Sequence, residues 1–277
     1  MARTLTIDGR IIELKRPLVM GIINVTPDSF YAGSRAGDAD AALWKASVML
    51  EQGADILDVG ACSTRPGSEP VSEEEERSRL EAPLRKIRSA FPDTILSLDT
   101  FYPGVAEWAV GEFGVDIIND VSGGNEEMYQ LAAESGAGYV LTHSRGTSAT
   151  MQSLTHYEDV CAEVLTDLAF RLDRLRALGC CNVIVDPGFG FAKTLDQNYQ
   201  LMRNLEAFQA LNAPLLVGVS RKSMVTGVCG SDPSAVLAGT IALNSAAIIK
   251  GADIIRVHDV KEAAAAVNVI DNLIGYL

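Results

Sequence analysis

The sequence predicts an α/β fold, a (β/α)8 TIM barrel preceded by a short N-terminal β-hairpin, and three observations predict it. Short apolar segments recur eight times along the 277 residues, a segment with helical periodicity follows each of them, and glycines stand where the helices should end. Strands that are apolar on both faces and alternate with helices form parallel sheets. Eight such units in roughly 260 residues match a closed barrel.

The predicted elements follow in chain order. Residues 4–7 and 11–14 flank an Asp8-Gly9 turn and are expected to pair as the hairpin. The eight strands are expected at 18–24, 54–59, 94–99, 115–119, 137–142, 182–186, 214–218 and 252–257. The helices are expected at 41–53, 71–90, 105–113, 126–134, 158–178, 195–211, 235–250 and 261–274, with C-cap glycines at Gly53, Gly114, Gly136, Gly179 and Gly251. The alternative is an open, doubly wound sheet, which usually has fewer strands; the glycine fingerprint of nucleotide binding does not follow the first strand here.

Composition limits the class of protein. The formal net charge is −13, so the long-range field repels phosphates and argues against generic binding to nucleic acid or anionic membranes. A phosphorylated ligand would need a local cluster of positive charge. No Pro-, Gly- or Ser-rich linker divides the chain, so a single domain is expected over residues 1–277.

Cysteine usage and hydropathy indicate a cytoplasmic protein. The five cysteines are odd in number and include no C-x-x-C pair, which favours reduced thiols over a zinc site or a disulfide framework. The amino-terminal residues contain no apolar signal core, and no run of about 18 apolar residues is present, so no membrane span is expected. The acidic run 73–76 is interpreted as the first turn of a helix, with Ser72 as its N-cap and Glu75 completing a capping box.

The predicted strands end in polar residues, and a (β/α)8 barrel carries its active site at these ends. Arg256 and His258 are two positions apart, so they share one face of the last strand. Together with Arg65 and Lys222 they form a predicted cationic cluster, for which a phosphate is the expected ligand. The acid and amide groups that end three other strands suit a flat, nitrogen-rich heterocycle whose N–H groups donate to oxygen; they are Asp99, Asn119 and Asp186.

Other chemistries fit the sequence less well. The three histidines lack the H-E-x-x-H spacing of a zinc hydrolase. Ser220 lies in GVSRK and not in the G-x-S-x-G of a nucleophile elbow, and the chain has no G-x-x-x-x-G-K-[ST] loop. His143, alone at a strand end, is interpreted as structural rather than catalytic.

At these residues the sequence resembles the dihydropteroate synthase family of folate biosynthesis over nearly its whole length. The motifs that carry the resemblance are MGIINVTPDSF (20–30), STRPG (63–67), SLDT (97–100), INDVSGG (118–124), DPGFGFAKT (186–194), SRKSM (220–224) and RVHDV (256–260). The resemblance implies a transferase that joins 6-hydroxymethyl-7,8-dihydropterin diphosphate to 4-aminobenzoate, with Mg²⁺ as cofactor, and releases 7,8-dihydropteroate and pyrophosphate. It also implies a homodimer, a sulfonamide target, and small-molecule substrates as the only other partners.

The resemblance assigns roles to individual positions. The pterin would be held by Asp99, Asn119, Asp186 and Lys222, and the diphosphate by Asn24, Arg256 and His258, with Asn24 also binding the magnesium. Thr64, Arg65 and Pro66 would lie near the diphosphate and the aminobenzoate, which Ser223 and Phe191 would help to frame. The catalytic residues are expected to be Asp99, Lys222, Arg256 and His258. They would stabilise the charges that develop in an SN1-like displacement.

Three positions depart from the family pattern. Ala32 stands where the first loop usually has an acid, and Cys62 stands where a glutamate usually precedes S-T-R-P-G. Thr142 replaces the usual methionine before His143, which is expected to make one wall of the pterin pocket smaller and more polar. Ala32 keeps a second hypothesis open, a pterin-binding paralogue without activity. A third hypothesis is a methyl-transfer module that presents a folate to a corrinoid partner.

Overall fold

The amino-terminal hairpin pairs as its sequence predicts. The structure is a computed structural model that describes residues 3–7, 10–25, 35–62 and 71–275. Strand β1 (Thr4–Ile7) runs antiparallel to β2 (Arg10–Glu13), so that Thr4 lies opposite Glu13. The predicted Asp8-Gly9 turn lies outside the described residues. Strand β2 begins one residue earlier than its apolar pattern indicates.

Eight parallel strands form the barrel, and all eight predicted strands are confirmed. Their bounds are Leu18–Asn24 (β3), Ile56–Gly60 (β4), Ile95–Asp99 (β5), Ile117–Asp120 (β6), Gly138–Thr142 (β7), Val183–Asp186 (β8), Leu216–Val217 (β9) and Ile254–Val257 (β10). The strand order is β8-β7-β6-β5-β4-β3-β10-β9. A parallel bridge between Val185 and Leu215 joins the first and last strands of this order, and the Val185 amide donates to the Pro214 carbonyl at 2.8 Å. The sheet therefore closes on itself.

Helices follow the strands along the outside of the barrel. They span Arg35–Glu51 (α1), Glu73–Ala90 (α2), Pro103–Phe113 (α3), Glu126–Ser135 (α4), Val160–Ala177 (α5), Leu195–Arg203 (α6), Ser223–Cys229 (α7), Pro233–Ile249 (α8) and Val260–Ile274 (α9). The short helix α7 has no counterpart in the sequence-based prediction. The five predicted C-cap glycines all have positive φ, a conformation that only glycine adopts at little cost.

The helix predicted over 195–211 is two elements. Helix α6 ends at Arg203, and a 3-10 segment continues from Leu205 to Leu211. Asn204 separates them: its backbone N–H donates to Gln200 and Leu201, while its side-chain Nδ2 donates to the Gln200 carbonyl at 2.9 Å. An asparagine side chain competes in this way for helical hydrogen-bonding groups. The periodicity of the apolar residues gives no sign of such a break, so the sequence predicted one continuous helix.

Two layers of apolar packing position the site. Side chains inside the barrel form one cluster, which includes Met20, Ile56, Ile117, Val140, Ile184, Leu216 and Ile254. Leu5 and Ile7 of the hairpin belong to the same cluster and cover the amino-terminal end of the barrel. Two further clusters fill the space between the strands and the helices. The carboxyl ends of the strands are therefore the end at which polar side chains can gather.

None of the described helices combines the length and the apolar content that crossing a bilayer requires.

Candidate active site

A layer of polar side chains begins where the apolar interior of the barrel stops. Because side chains alternate along a strand, the residue two positions after an interior residue also faces the barrel axis. Ile56 in β4 is thus followed by Asp58, and Ile254 in β10 is followed by Arg256. The same step along the neighbouring strands leads to Ser97, Asn119, Thr142 and Asp186.

Arg256 links two acids across this layer. Its Nε donates to Oδ2 of Asp58 at 2.6 Å, and its Nη2 donates to Oδ2 of Asp99 at 2.5 Å. Burial acts to lower the pKa of Arg256, but the two carboxylates outweigh it and raise this pKa above its ordinary value. The guanidinium therefore stays charged, and its orientation is set from two sides.

Asp58 is the centre of the network, and the sequence-based reasoning missed it. Its side chain is completely buried, and Oδ1 accepts a hydrogen bond from the Ser97 hydroxyl at 2.6 Å. The Asn119 amide donates to Oδ2 at 3.1 Å, so Asp58 aligns both Asn119 and Arg256. The signal in the sequence was an acid inside an otherwise apolar strand, two positions after an inward-facing isoleucine.

Asp99 lies at the end of β5 and is nearly buried. Burial raises the pKa of Asp99 to about 7; the Arg256 guanidinium acts in the opposite direction, and Asp58 adds to the increase. Gly60 on the adjacent strand leaves room for the Asp99 side chain. A Cβ at residue 60 would lie only 3.0 Å from the Asp99 Cβ, which is too close for an ordinary contact. The paired Arg256 guanidinium favours the carboxylate form of Asp99, whereas burial opposes it.

Lys222 and Asp186 form the opposite side of the site. Lys222 Nζ donates to the Phe189 carbonyl at 2.6 Å and lies 4.6 Å from the centre of the Phe191 ring. Burial lowers the pKa of Lys222 to about 8, although the nearby Asp186 raises it. Burial raises the pKa of Asp186, and Lys222 opposes that shift. Each charge thus limits the cost of burying the other.

Gly218 lies close to both cations of the site. A Cβ at residue 218 would lie 3.7 Å from the Arg256 Cβ and 3.9 Å from Lys222 Nζ. His258 stands two residues beyond Arg256, and its Nδ1 is 3.0 Å from the Ser220 hydroxyl, which also accepts from the His258 N–H. Lys222 and Arg256 therefore both lie next to Gly218, and Ser220 holds the His258 ring just beyond the end of β10.

The remaining predicted site residues fall into three groups. Asn24 ends β3, where it is half-buried and paired in register with Gly60. Ser223 is exposed at the start of α7, and Phe191 is half-buried beside Lys222. Thr64, Arg65 and Pro66 lie outside the described residues, as does Ala32.

The predicted cationic cluster is, over the described residues, a network of both signs. Arg256 is paired with two carboxylates, and Lys222 lies near a third. The cause is the period of two along the strands, which turns Asp58 inward beside Arg256 although the two are 198 residues apart. The two cations of this network are therefore largely compensated by its own acids.

Two departures from the family pattern lie within the described structure. Cys62 is buried directly after β4, and burial raises the pKa of its thiol, so it is a poor nucleophile. Thr142 is completely buried on the inward face of β7, and within the described structure its hydroxyl has no hydrogen-bond partner. That Thr142 makes one wall of the pterin pocket smaller and more polar stays a prediction.

Glu76 lies in the first turn of α2, as predicted, and its setting there is unusual. Ser72 caps α2 as predicted, because its hydroxyl accepts from the Glu75 N–H at 3.2 Å. Glu76, however, is completely buried, and among the described residues neither of its carboxyl oxygens has a hydrogen-bond partner. Burial raises the pKa of Glu76 from 4.5 to about 7, and nearby Asp99 adds to the shift.

This burial makes the stability of the protein depend on pH. A carboxyl group whose pKa is higher in the folded than in the unfolded protein stabilises the fold while it is protonated. For Glu76 this stabilisation is complete below pH 4.5 and is lost as the pH rises through 7. The Glu76→Gln variant has no such loss. We expect its free energy of unfolding, relative to the unsubstituted protein, to be higher at pH 8 than at pH 5 by up to about 3 kcal/mol.

Urea unfolding at the two pH values measures this difference. Glu74→Gln is the matched control, because Glu74 occupies the same helical turn but is exposed. We expect the control to change by less than about 0.5 kcal/mol between the two conditions. An equal effect of Glu76→Gln at pH 5 and pH 8 would show that Glu76 does not titrate between them.

Comparison with known proteins agrees with this geometry. The model of the family described as "Pterin binding enzyme" matches residues 20–258. The dihydropteroate synthase of Neisseria meningitidis serogroup C is 43% identical over 274 residues, which cover 96% of each chain.

Two solved structures extend the similarity to the whole fold. The Xanthomonas albilineans dihydropteroate synthase with 4-aminobenzoic acid has a TM-score of 0.90 and 36% identity, covering 99% of this chain and 98% of that one. The Thermus thermophilus enzyme in complex with 6HMPPP has a TM-score of 0.85 and 37% identity, covering 98% of this chain and all of the other. With its inward layer of acids, amide and buried cations, this chain belongs to the pterin-binding enzyme family, and within it to the dihydropteroate synthases.

Proposed function

We propose that this protein condenses 6-hydroxymethyl-7,8-dihydropterin diphosphate with 4-aminobenzoate to form 7,8-dihydropteroate and pyrophosphate. The observation that carries the proposal is the inward polar layer, in which acids, an amide and a lysine stand on neighbouring strand ends. A pterin ring presents N–H donors and carbonyl and nitrogen acceptors along its edge. Asp99, Asp186 and Asn119 match the donors, and the Lys222 ammonium matches an acceptor.

The reaction exchanges one bond for another. The bond between the pterin methylene carbon and the diphosphate oxygen breaks, and its electron pair leaves with pyrophosphate. The aromatic amine nitrogen then bonds to the methylene carbon and releases a proton to solvent. A neutral amine needs no strong base to expose its electron pair, so breaking the C–O bond is the difficult step, as in an SN1-like displacement.

Charge stabilisation is the main task of the protein in this step. Positive charge develops on the pterin methylene, where the carboxylates of Asp99 and Asp186 offset it. Negative charge develops on the departing diphosphate, and Arg256 and His258, at the carboxyl end of β10, would offset it. Because Asp58 and Asp99 hold Arg256 before substrate arrives, little reorganisation is needed during the reaction.

The aminobenzoate is proposed to bind at the mouth of the barrel. Phe191 and Ser223 stand beside Lys222 on that side, and Thr64, Arg65 and Pro66 belong to the STRPG motif that the family uses there. The aromatic ring of Phe191 offers a surface for stacking, and the Ser223 hydroxyl offers a hydrogen bond to a carboxylate.

We propose Mg²⁺ as the cofactor, and the donors present fit this ion. Asn24 contributes a neutral oxygen at the mouth of the barrel, and Mg²⁺ is commonly held by one or two protein oxygens together with substrate phosphates and water. Over the described residues no group of three His, Cys, Asp or Glu side chains forms a self-sufficient metal cage. When bound, the ion would neutralise negative charge on the diphosphate. The cations of the site leave part of that charge in excess, because acids of the same site already compensate them.

A two-substrate assay of pyrophosphate release, with and without Mg²⁺, tests the proposal. We expect release that depends on both substrates and on the metal. Pterin binding without turnover would instead support the paralogue without activity. Tight binding of methyl-tetrahydrofolate with no use of aminobenzoate would support the methyl-transfer module.

Sulfonamides are expected to compete with 4-aminobenzoate, because they copy its aromatic amine and its polar group in the para position. Initial rates at several aminobenzoate concentrations measure this, and the apparent inhibition constant should rise in proportion to aminobenzoate. The control is the same series with pterin diphosphate varied, for which no such competition is expected. An inhibition constant that is independent of aminobenzoate would contradict a shared pocket.

We also propose that the protein is a cytoplasmic homodimer. The five cysteines all lie within the described residues and form no disulfide there, in keeping with a reducing compartment. The neighbouring helices α8 and α9 expose large apolar side chains, namely Ile249, Val269, Leu273 and Ile274. A second copy of the chain covering these helices would remove that surface from water. Analytical ultracentrifugation tests the proposal, since Leu273→Glu should shift the protein toward the monomer.

A further inference from the structure

We propose that Lys193 and His143 are positioning residues for the pterin subsite. Together they hold the loop 187–194 in the conformation that meets Lys222 and Asp186. The inference rests on the proposed function, because it concerns the same site. Neither residue is among those assigned to substrate above.

Lys193 is a buried lysine whose hydrogen bonds converge on this loop. Its side chain is 4% exposed, and Nζ lies 2.9 Å from the Gly188 carbonyl, 3.0 Å from the Phe191 carbonyl and 2.9 Å from Nδ1 of His143. Burial lowers the pKa of Lys193 to about 7, and its ammonium form has three donor hydrogens, each of which finds an acceptor here. Two of the acceptors are backbone carbonyls of the same loop. Lys193 therefore stabilises a compact conformation of the loop to which it belongs.

His143 connects the loop to the barrel. It follows the last residue of β7 and is 1% exposed, so its position is set by the sheet. Burial and the neighbouring Lys193 lower the pKa of His143 to about 2, which keeps the ring neutral and Nδ1 able to accept from Lys193. Gly188 packs against the same point, because a Cβ there would lie 2.0 Å from the His143 carbonyl oxygen.

The loop held in this way makes the contacts that arrange the pterin groups. The Gly188 N–H donates to Oδ1 of Asp186 at 2.8 Å. The Phe189 carbonyl accepts from Lys222, and the Phe191 ring lies beneath the same ammonium. A shift of the loop would therefore move Lys222 and free one oxygen of Asp186 from its hydrogen bond. Lys193 and His143 would in this way affect the pterin subsite without touching the pterin.

A second anchor keeps the loop attached when the first is removed. The Gly190 N–H donates to Oδ1 of Asn198 at 2.7 Å, and Asn198 also donates to the backbone carbonyls of Lys193 and Thr194. Substitutions at Lys193 or His143 are therefore expected to displace the loop within a folded barrel.

Four variants test the inference: Lys193→Met, His143→Leu, His143→Asn and the double variant Lys193→Met/His143→Leu. The probe is 6-hydroxymethyl-7,8-dihydropterin diphosphate, with its dissociation constant measured by calorimetry at 10 °C and its KM from pyrophosphate release. We expect Lys193→Met and His143→Leu to weaken binding by about tenfold or more, with KM rising more than kcat falls. His143→Asn keeps an acceptor for Lys193 and should bind within about threefold of the unsubstituted protein.

The double variant and a remote control separate positioning from loss of stability. If the two residues act through one contact, the double variant binds about as weakly as Lys193→Met alone. Val267→Ala removes buried volume on α9, far along the chain from the loop, and should lower the melting temperature while leaving pterin binding within about twofold.

Pterin binding within twofold of the unsubstituted protein in folded Lys193→Met and His143→Leu would overturn the inference, even if both variants melt at a lower temperature. If Lys193→Met does not fold, the two His143 variants make the same comparison, and equal binding by Leu and Asn would overturn it. Failure of the unsubstituted protein to bind the probe would instead overturn the proposed function.

Discussion

Lys222→Ala is expected to lower kcat/KM for the pterin diphosphate by about 100-fold, which corresponds to the loss of roughly 3 kcal/mol from a charge-assisted hydrogen bond. The ammonium is held between the Phe189 carbonyl and the Phe191 ring and faces the interior near Asp186. Its removal also leaves the buried Asp186 without its nearby cation. Steady-state kinetics with pterin diphosphate varied measures the effect.

Lys222→Met separates the lost charge from the lost volume, because methionine preserves most of the packing over Phe191. We expect it to be nearly as slow as Lys222→Ala, whereas Lys261→Ala, at an exposed position on α9, should leave kcat/KM unchanged. Because the pKa of Lys222 is lowered to about 8, kcat/KM should fall as the pH rises through 8, and both Lys222 variants should lack this decline. Near-normal kinetics in Lys222→Met would contradict the proposed role of its charge.

Asp58→Asn is expected to lower the free energy of unfolding by about 3 kcal/mol, since removing one partner of a buried ion pair leaves the other incompletely compensated. Asp58 is completely buried and takes hydrogen bonds from Ser97, Asn119 and Arg256 at once. Asparagine has the same shape, so the substitution tests the charge. Asp99 keeps part of the compensation, which places the expected loss at the lower end for such pairs.

Urea unfolding at pH 7 measures this loss, and Asp40→Asn provides the control. Asp40 pairs with Lys86 at the surface, where an ion pair contributes less than about 1 kcal/mol. We also expect a fall in kcat/KM for Asp58→Asn, because Asn119 and Arg256 both lose their alignment. An Asp58→Asn protein as stable as the Asp40→Asn protein would show that the Asp58 charge is not needed to hold Arg256.

Much of the fold was accessible from the sequence because its cause is local. An apolar run such as 18–24, bounded by polar residues and alternating with helical segments, predicts a buried strand without reference to distant residues. Gly114 ends a helix by adopting a left-handed conformation that other residues resist. The break at Asn204 and the short helix α7 were not accessible. The break depends on hydrogen bonds of the Asn204 side chain, and α7 has only seven residues. Neither feature leaves a periodic signal in the sequence.

The chain by itself determined the number and direction of the strands, and with them the end of the barrel at which Asp99, Asn119, Asp186, Lys222, Arg256 and His258 meet. Only the tertiary structure decided how these charges are paired. Arg256 contacts Asp58, which is 198 residues away in the sequence, and Lys193 contacts His143, which is 50 residues away. The first pairing follows from the contact of β10 with β3, which brings the last and first strands of the barrel together, and the second follows from the parallel pairing of β7 with β8. The electrostatic environment of a side chain depends on such distances and on burial, and not on order along the chain.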